Sequence, residues 1–353
     1  MAEAVLAIRP RTLGDVVLIT PALRALKRGH PDAALEVVTE RRYAPLLEGL
    51  EGVDRVWALD RSPGATVALA RHLGRRRYRV AVDFFGNPRT AFLTLASRAG
   101  LTAGYDLRGR RFAYQRRVAR TVSPAPGRRE YAAATHVRLA VAAGGVADGL
   151  ETRIAIPAAA RARAAELLAT VVGRRAAGAP GRRGIVGLVA AGTWATKTWP
   201  LSHAAVLARR LIEAGYPVLL LAGPGEDAQA ARLEALAPGI AALPPCDVGA
   251  LAAVIGALGA VVGTDSGPRH IAAALGVPSF AWFGPTHPDT WSPPGAAHGA
   301  WRTELPCRGC DRTVCPHWNC LPGLAPEHAA ALVLRHLEAH GRSPSGLGPA
   351  PRA

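Results

Sequence analysis

The stretch Val262-Gly263-Thr264-Asp265-Ser266-Gly267-Pro268-Arg269-His270 reads as a short apolar strand, a turn of small and acidic residues, and a helix entered through a proline. The small-residue run 271–275 continues that helix. Such a unit feeds a strand's carboxyl end straight into a helix N-terminus, where free backbone N–H groups and the helix dipole favour a pyrophosphate. Ser266 and Gly267 open the helix, with Asp265 and His270 on either side. A single histidine on a helix is more often packed or capping than functional, so His270 gains weight only from its neighbours.

The same strand–turn–helix unit recurs in both directions. Residues 185–190, 218–222, 260–263 and 279–283 read as strands, with helices at 201–214, 228–237, 248–258, 268–275 and 326–340. Upstream, strands at 5–9, 35–39, 53–59 and 80–84 alternate with helices at 15–28, 43–50, 65–75 and 89–99. Pro21 should kink or restart the first of these. Repeated βα units imply the α/β class with parallel sheets, in two domains. The breaker-rich segment 173–184 divides them, giving an N-terminal domain 1–172 and a C-terminal domain 185–325. Residues 326–340 add a last helix, and 341–353 a tail expected to be disordered. Open parallel sheets bind ligands beyond the carboxyl ends of their strands, so the expectation is a ligand in a central cleft that the two domains face.

The 353 residues are 49% hydrophobic, 20% charged and 5% aromatic, a composition for soluble globular domains. No apolar run reaches the length of a bilayer span, and Glu3 stands where a signal peptide needs positive charge, so a cytoplasmic protein is expected. The net charge of +17 asks for an anionic partner. It is uneven: 25 basic against 13 acidic residues in 1–150, net +12, and 18 against 13 thereafter, net +5. Nucleic acid would satisfy the charge, but no nucleic-acid module or aromatic stacking platform is present.

Three further turns carry chemistry. The turn 9–15, Arg-Pro-Arg-Thr-Leu-Gly-Asp, holds one glycine and no lysine, which excludes both the dinucleotide fingerprint and the P-loop. It offers Asp15, either as an acceptor of a substrate hydroxyl proton or as a helix cap. The loop 190–200 contains Thr193, Thr196 and Lys197, one of only two lysines in the chain. An ammonium and hydroxyl donors suit phosphate oxygens. The turn 223–227 presents Glu226, which can accept from ribose hydroxyls or simply favour the start of the next helix.

Taken together, Leu13-Gly14-Asp15 with Thr20-Pro21-Ala22-Leu23, Lys197-x-Trp199-Pro200, Gly223-Pro-Gly-Glu226 and Asp265-Ser-Gly-Pro-Arg-His270 resemble the glycosyltransferase family 9 heptosyltransferases, in the right order from about residue 5 to 340. The resemblance implies a GT-B architecture of two Rossmann-like domains, and inverting transfer of heptose from ADP-heptose to a lipopolysaccharide inner-core or related glycolipid acceptor. It implies Asp15 as general base and Lys197 as the diphosphate contact. Glu226 would contact the ribose, and Asp265, Ser266, Gly267 and His270 form the donor turn with Thr193 and Thr196 nearby. A monomer is expected, needing no cofactor for catalysis because a lysine and a helix N-terminus can stabilise the leaving charge, cytoplasmic but peripheral to the inner membrane, with no nucleic acid as partner. Another nucleotide sugar as donor, and a basic nucleic-acid-binding protein, are the alternatives.

Finally, Cys307, Cys310, Cys315 and Cys320 crowd into one loop. Four thiolates so close can hold a structural zinc or an iron–sulfur cluster, pair as disulfides, or stay reduced.

Overall fold

The computed structural model describes residues 3–173 and 183–343. Residues 174–182 of the expected linker therefore lie outside the described residues, as do positions 344–353 of the expected tail. The chain forms two compact units, Met1–Pro157 and Ala158–Ala353.

In the first unit, strands β1 Ala4–Ile8, β2 Ala34–Glu40, β3 Arg55–Leu59, β4 Tyr78–Asp83, β5 Leu101–Tyr105 and β6 Arg116–Val118 alternate with helices α1 Leu13–Leu18, α2 Thr20–Gly29, α3 Pro63–Leu73, α4 Pro88–Ala96 and α5 Ala132–Ala142. All strand pairs are parallel, in the order β3-β2-β1-β4-β5-β6. Every residue of β1 is buried, as expected of a central strand covered on both faces. Pro21 sits in the first turn of α2 and restarts the helix after α1, the outcome its missing N–H favours. Residues 41–46 form a 3-10 turn where a longer helix was expected, because Pro45 cannot continue an α-helix.

The second unit contains α6 Ala158–Gly173, β7 Val186–Val189, α7 Leu201–Glu213, β8 Val218–Leu220, α8 Asp227–Leu236, β9 Ala241–Ala242, α9 Val248–Gly256, β10 Ala260–Thr264, α10 Gly267–Ala274, β11 Ser279–Phe283, α11 Pro288–Trp291, β12 His298–Arg302 and α12 Pro326–His340. Its sheet is also parallel, in the order β12-β11-β10-β7-β8-β9. Helix α6 packs on α9 and so belongs with this unit. Trp199 and Trp282, fully buried with ring centroids 4.6 Å apart, sit in a core shared by β7, β8, β10, α7 and α12.

Both sheets follow one plan. Counted within each unit, the strand order is 3-2-1-4-5-6, the doubly wound arrangement whose direction reverses between strands 1 and 4. That reversal lies between β1 and β4 in the first unit and between β7 and β10 in the second, and ligands bind just beyond the carboxyl ends there. At the second reversal the backbones come unusually close. Gly263 has φ +146°, and a Cβ on it would meet the Val189 carbonyl oxygen at 2.1 Å, so only glycine fits.

Candidate active site

At the first reversal point, β1 ends in Arg9, which is 2% exposed. Its guanidinium donates to the Phe84 carbonyl just past β4 and pairs with Asp15 Oδ1 at 2.5 Å. Asp15 stands in the first turn of α1, 18% exposed, and its Oδ2 accepts from the Thr12 hydroxyl at 2.8 Å and the Thr12 N–H at 3.2 Å. One oxygen closes the helix N-terminus, as the cap reading expects, and the other pairs with a buried cation. Burial pushes its carboxyl up, but Arg9 and the Thr12 hydroxyl pull harder and leave it at about 2. The loop beyond β4 is fixed by the fully buried Asp83, which accepts from Phe85 N–H at 2.8 Å, Gly86 N–H at 2.9 Å and the Tyr114 hydroxyl at 2.6 Å.

Removing the guanidinium should therefore reveal the carboxylate's titration. Arg9→Met is expected to bring an acid limb into the kcat/KM profile above the ordinary carboxylate range, since burial then acts without a counter-charge; Arg9→Lys should keep that limb low. Identical pH profiles in wild type and Arg9→Met would contradict this coupling.

At the second reversal point, Lys197 ends a 3-10 turn, Ala195–Lys197, that follows β7. Its Nζ donates to Asp265 Oδ2 at 2.9 Å and lies 5.4 Å from the Trp194 ring centre. Asp265, 3% exposed at the end of β10, accepts also from the Thr286 hydroxyl at 2.8 Å. Burial pushes the Asp265 carboxyl up, and Lys197 and His270, with the Lys197 and Thr286 hydrogen bonds, more than reverse it, so it stays below its ordinary value. Ser266 caps α10, whose first residue is Gly267, and its hydroxyl is buried with no hydrogen-bond partner among the described residues. His270, 4% exposed, stacks edge-on against Trp291.

The remaining expected residues distribute differently. Glu226 caps α8 beyond β8, and its carboxylate accepts from the Gly223 N–H at 2.7 Å. Thr193 is exposed. Thr196, expected as a phosphate contact, is 3% exposed; it donates to the Arg312 carbonyl at 2.8 Å, and its own carbonyl accepts from Trp318 Nε1 at 3.1 Å. The Asp311 N–H donates to the Pro285 carbonyl at 2.8 Å, beside Thr286. The cysteine-rich loop is thereby tied to both sides of the Lys197–Asp265 pair. All four of its cysteines are free thiols, and among the described residues no group of three or more His, Cys, Asp or Glu side chains is gathered to hold a metal. Cys307 and Cys310 are exposed, whereas burial, with the nearby Cys310 and Cys307 charges, pushes the Cys320 thiol up.

Arg9 and Thr286 were not singled out from sequence. Each lies at the carboxyl end of a recognised strand, and that position was the available signal.

The sequence profile of glycosyltransferase family 9 (heptosyltransferase) matches residues 66–320. Lipopolysaccharide heptosyltransferase 1 of Pseudomonas aeruginosa is 34% identical over 126 residues, a match covering 35% of this chain and 36% of that protein, about a third of each. Lipopolysaccharide heptosyltransferase 3 of Escherichia coli is 24% identical over 296 residues, covering 79% and 83%. A family 9 glycosyltransferase structure from Veillonella parvula superposes with a TM-score of 0.83 at 19% identity, over 96% of this chain and 98% of that one. Matched by the family profile over well more than half its length and sharing its fold with a family member throughout, the chain belongs to glycosyltransferase family 9, the heptosyltransferases: a transferase of GT-B architecture homologous to the lipopolysaccharide heptosyltransferases.

Proposed function

We propose that the protein transfers heptose from ADP-heptose, with inversion, to a hydroxyl of a lipopolysaccharide inner-core or related glycolipid acceptor. The observation that carries this is the Lys197–Asp265 pair beside the unsatisfied Ser266 hydroxyl at the start of α10. An ammonium, a free hydroxyl and a helix N-terminus together suit a leaving diphosphate, whose negative charge grows as the glycosidic bond breaks. Asp265 holds the ammonium in place, and Thr286 holds Asp265. Glu226, at the end of the neighbouring strand β8, is assigned to the ribose hydroxyls, and His270 to the donor turn. The cysteine-rich loop enters through its main-chain contacts with Thr196 and Pro285.

Asp15 takes the proton of the attacking acceptor hydroxyl. A carboxylate held near 2 is a weak base in the free enzyme, and Arg9 is what holds it there. Burial is the largest influence on this group and acts upward, so exclusion of water by a bound acceptor strengthens the base. The excess of arginine in the first unit suits an acceptor carrying phosphate, at an anionic cytoplasmic membrane surface. Among the described residues no helix is long and apolar enough to cross a membrane, in keeping with contact from one side.

The test is a transfer assay of purified protein against a panel of ADP- and UDP-sugars with a heptose-deficient lipopolysaccharide acceptor. Transfer from ADP-heptose with inverted anomeric configuration is expected. Transfer from a UDP-sugar alone, or retention of configuration, would overturn the assignment.

A further inference from the structure

The first unit exposes three large apolar side chains on one side. Phe112 is 75% exposed, Phe92 47% and Leu95 45%. Phe112 lies on the 3-10 turn Arg111–Ala113, and α4 packs on this turn through Ala91, which clusters with Ala113 and Tyr114. Leu95 follows Ala91 by four residues and Phe92 by three, so on the helix surface it bridges the two. Phe112 immediately precedes Ala113, which brings it to the same contact.

The display is rigidly mounted. Tyr114, 4% exposed, donates to Asp83 at 2.6 Å, and α4 is capped by Asn87, whose side chain accepts from Thr90 N–H at 2.8 Å. Exposed apolar clusters on a rigid base mark contact surfaces.

The charge around it selects the partner. Residues 84–129 contain ten arginines and one carboxylate, Asp106, which is already paired with Arg111 at 2.6 Å. Arg98, three residues beyond Leu95, and Arg108, on the approach to the Arg111–Ala113 turn, are exposed and have no acidic partner among the described residues. A second copy of the chain would bring arginines against arginines, which opposes self-association through this face. What matches an apolar patch flanked by Arg98 and Arg108 is an anionic lipid surface, with phosphates beside the cations and acyl chains beneath.

We propose that the face built by α4 and the Arg111–Ala113 turn is the surface by which the protein docks on an anionic bilayer. Phe92, Leu95 and Phe112 enter the headgroup–acyl boundary, and the unpaired arginines engage lipid phosphates. This rests on the reading of a glycolipid acceptor and names the surface that brings the enzyme to it.

The experiment is co-sedimentation of the full chain with vesicles of phosphatidylcholine alone and of phosphatidylcholine mixed with phosphatidylglycerol. Wild type should bind only the anionic vesicles, and more weakly as salt rises. Phe112→Ser should lower partitioning roughly tenfold, the worth of one buried aromatic side chain. Phe92→Ser/Leu95→Ser/Phe112→Ser should abolish binding at an unchanged melting temperature, because all three side chains are exposed. The triple variant should also keep its rate on a deacylated, water-soluble acceptor and lose rate on one embedded in vesicles. Absence of wild-type binding, undiminished vesicle binding by the triple variant, or loss of binding only to an acidic protein would each overturn the proposal. Vesicle binding that depends on these residues in a protein transferring no sugar from any donor would support the docking surface while removing the transfer reading.

Discussion

Asp15→Asn lowers the rate of sugar transfer by roughly 10²–10⁴-fold, the span of general-base catalysis, and leaves donor affinity unchanged. Asparagine keeps the shape of aspartate and an oxygen to accept from Thr12, so the first turn of α1 survives. What it lacks is the charge that attracts a proton. The substitution also strands Arg9, 2% exposed, without its counter-ion, and losing one partner of a buried pair costs roughly 3–5 kcal/mol of stability. Rates must therefore be taken per folded molecule, below a lowered melting temperature. In the wild type the Asp15 carboxyl is held at about 2, below its unfolded value of 3.8. The pair's contribution is thus complete above that unfolded value and is lost as pH falls through about 2.

Lys197→Ala acts on both stages of the reaction. A charge-assisted hydrogen bond is worth roughly 1.5–3 kcal/mol, so donor binding weakens by roughly tenfold to a hundredfold. Because the leaving diphosphate gains charge in the transition state, kcat falls by roughly a further 10²–10³-fold, as when an oxyanion donor is removed. Asp265, 3% exposed, is left without the ammonium at 2.9 Å, and only Thr286 and His270 then support its charge. Lys197→Arg restores a cation for Asp265 and hence the melting temperature, but not the full rate, since a planar fork cannot take the place of a compact charge beside Trp194. Single-turnover kinetics with separately measured donor affinity distinguish the two losses.

The parts of the fold legible in sequence were those whose hydrophobicity is locally complete. Strands β1, β7, β10 and β11 are nearly continuous apolar runs, and β2 and β4 are mostly apolar, because a parallel sheet buries both faces. Strands β6 and β12, with sequences Arg-Arg-Val and His-Gly-Ala-Trp-Arg at the sheet edges, carry no such signal, and β9 is two residues long. Helices α5 and α6 are alanine-rich with weak sidedness, so their periodicity is faint. At the candidate site, Asp15, Lys197 and Asp265 could be read because each follows a recognisable strand. The Arg9–Asp15 pair lies within one strand–helix unit, but the contact of Arg9 with Phe84, beyond β1 and β4, and of Thr286 with Asp265, beyond the neighbouring strands β11 and β10, is set by which strands become neighbours, and that is a property of the topology.

The central claim is a division of labour: the second unit grips the diphosphate through Lys197 and the start of α10, and the first supplies the base. Calorimetric titration of ADP into wild type, Asp15→Asn and Lys197→Ala examines it most directly. ADP should bind wild type and Asp15→Asn alike and Lys197→Ala at least roughly tenfold more weakly. Equal affinity in wild type and Lys197→Ala, or loss of ADP binding in Asp15→Asn, would contradict it.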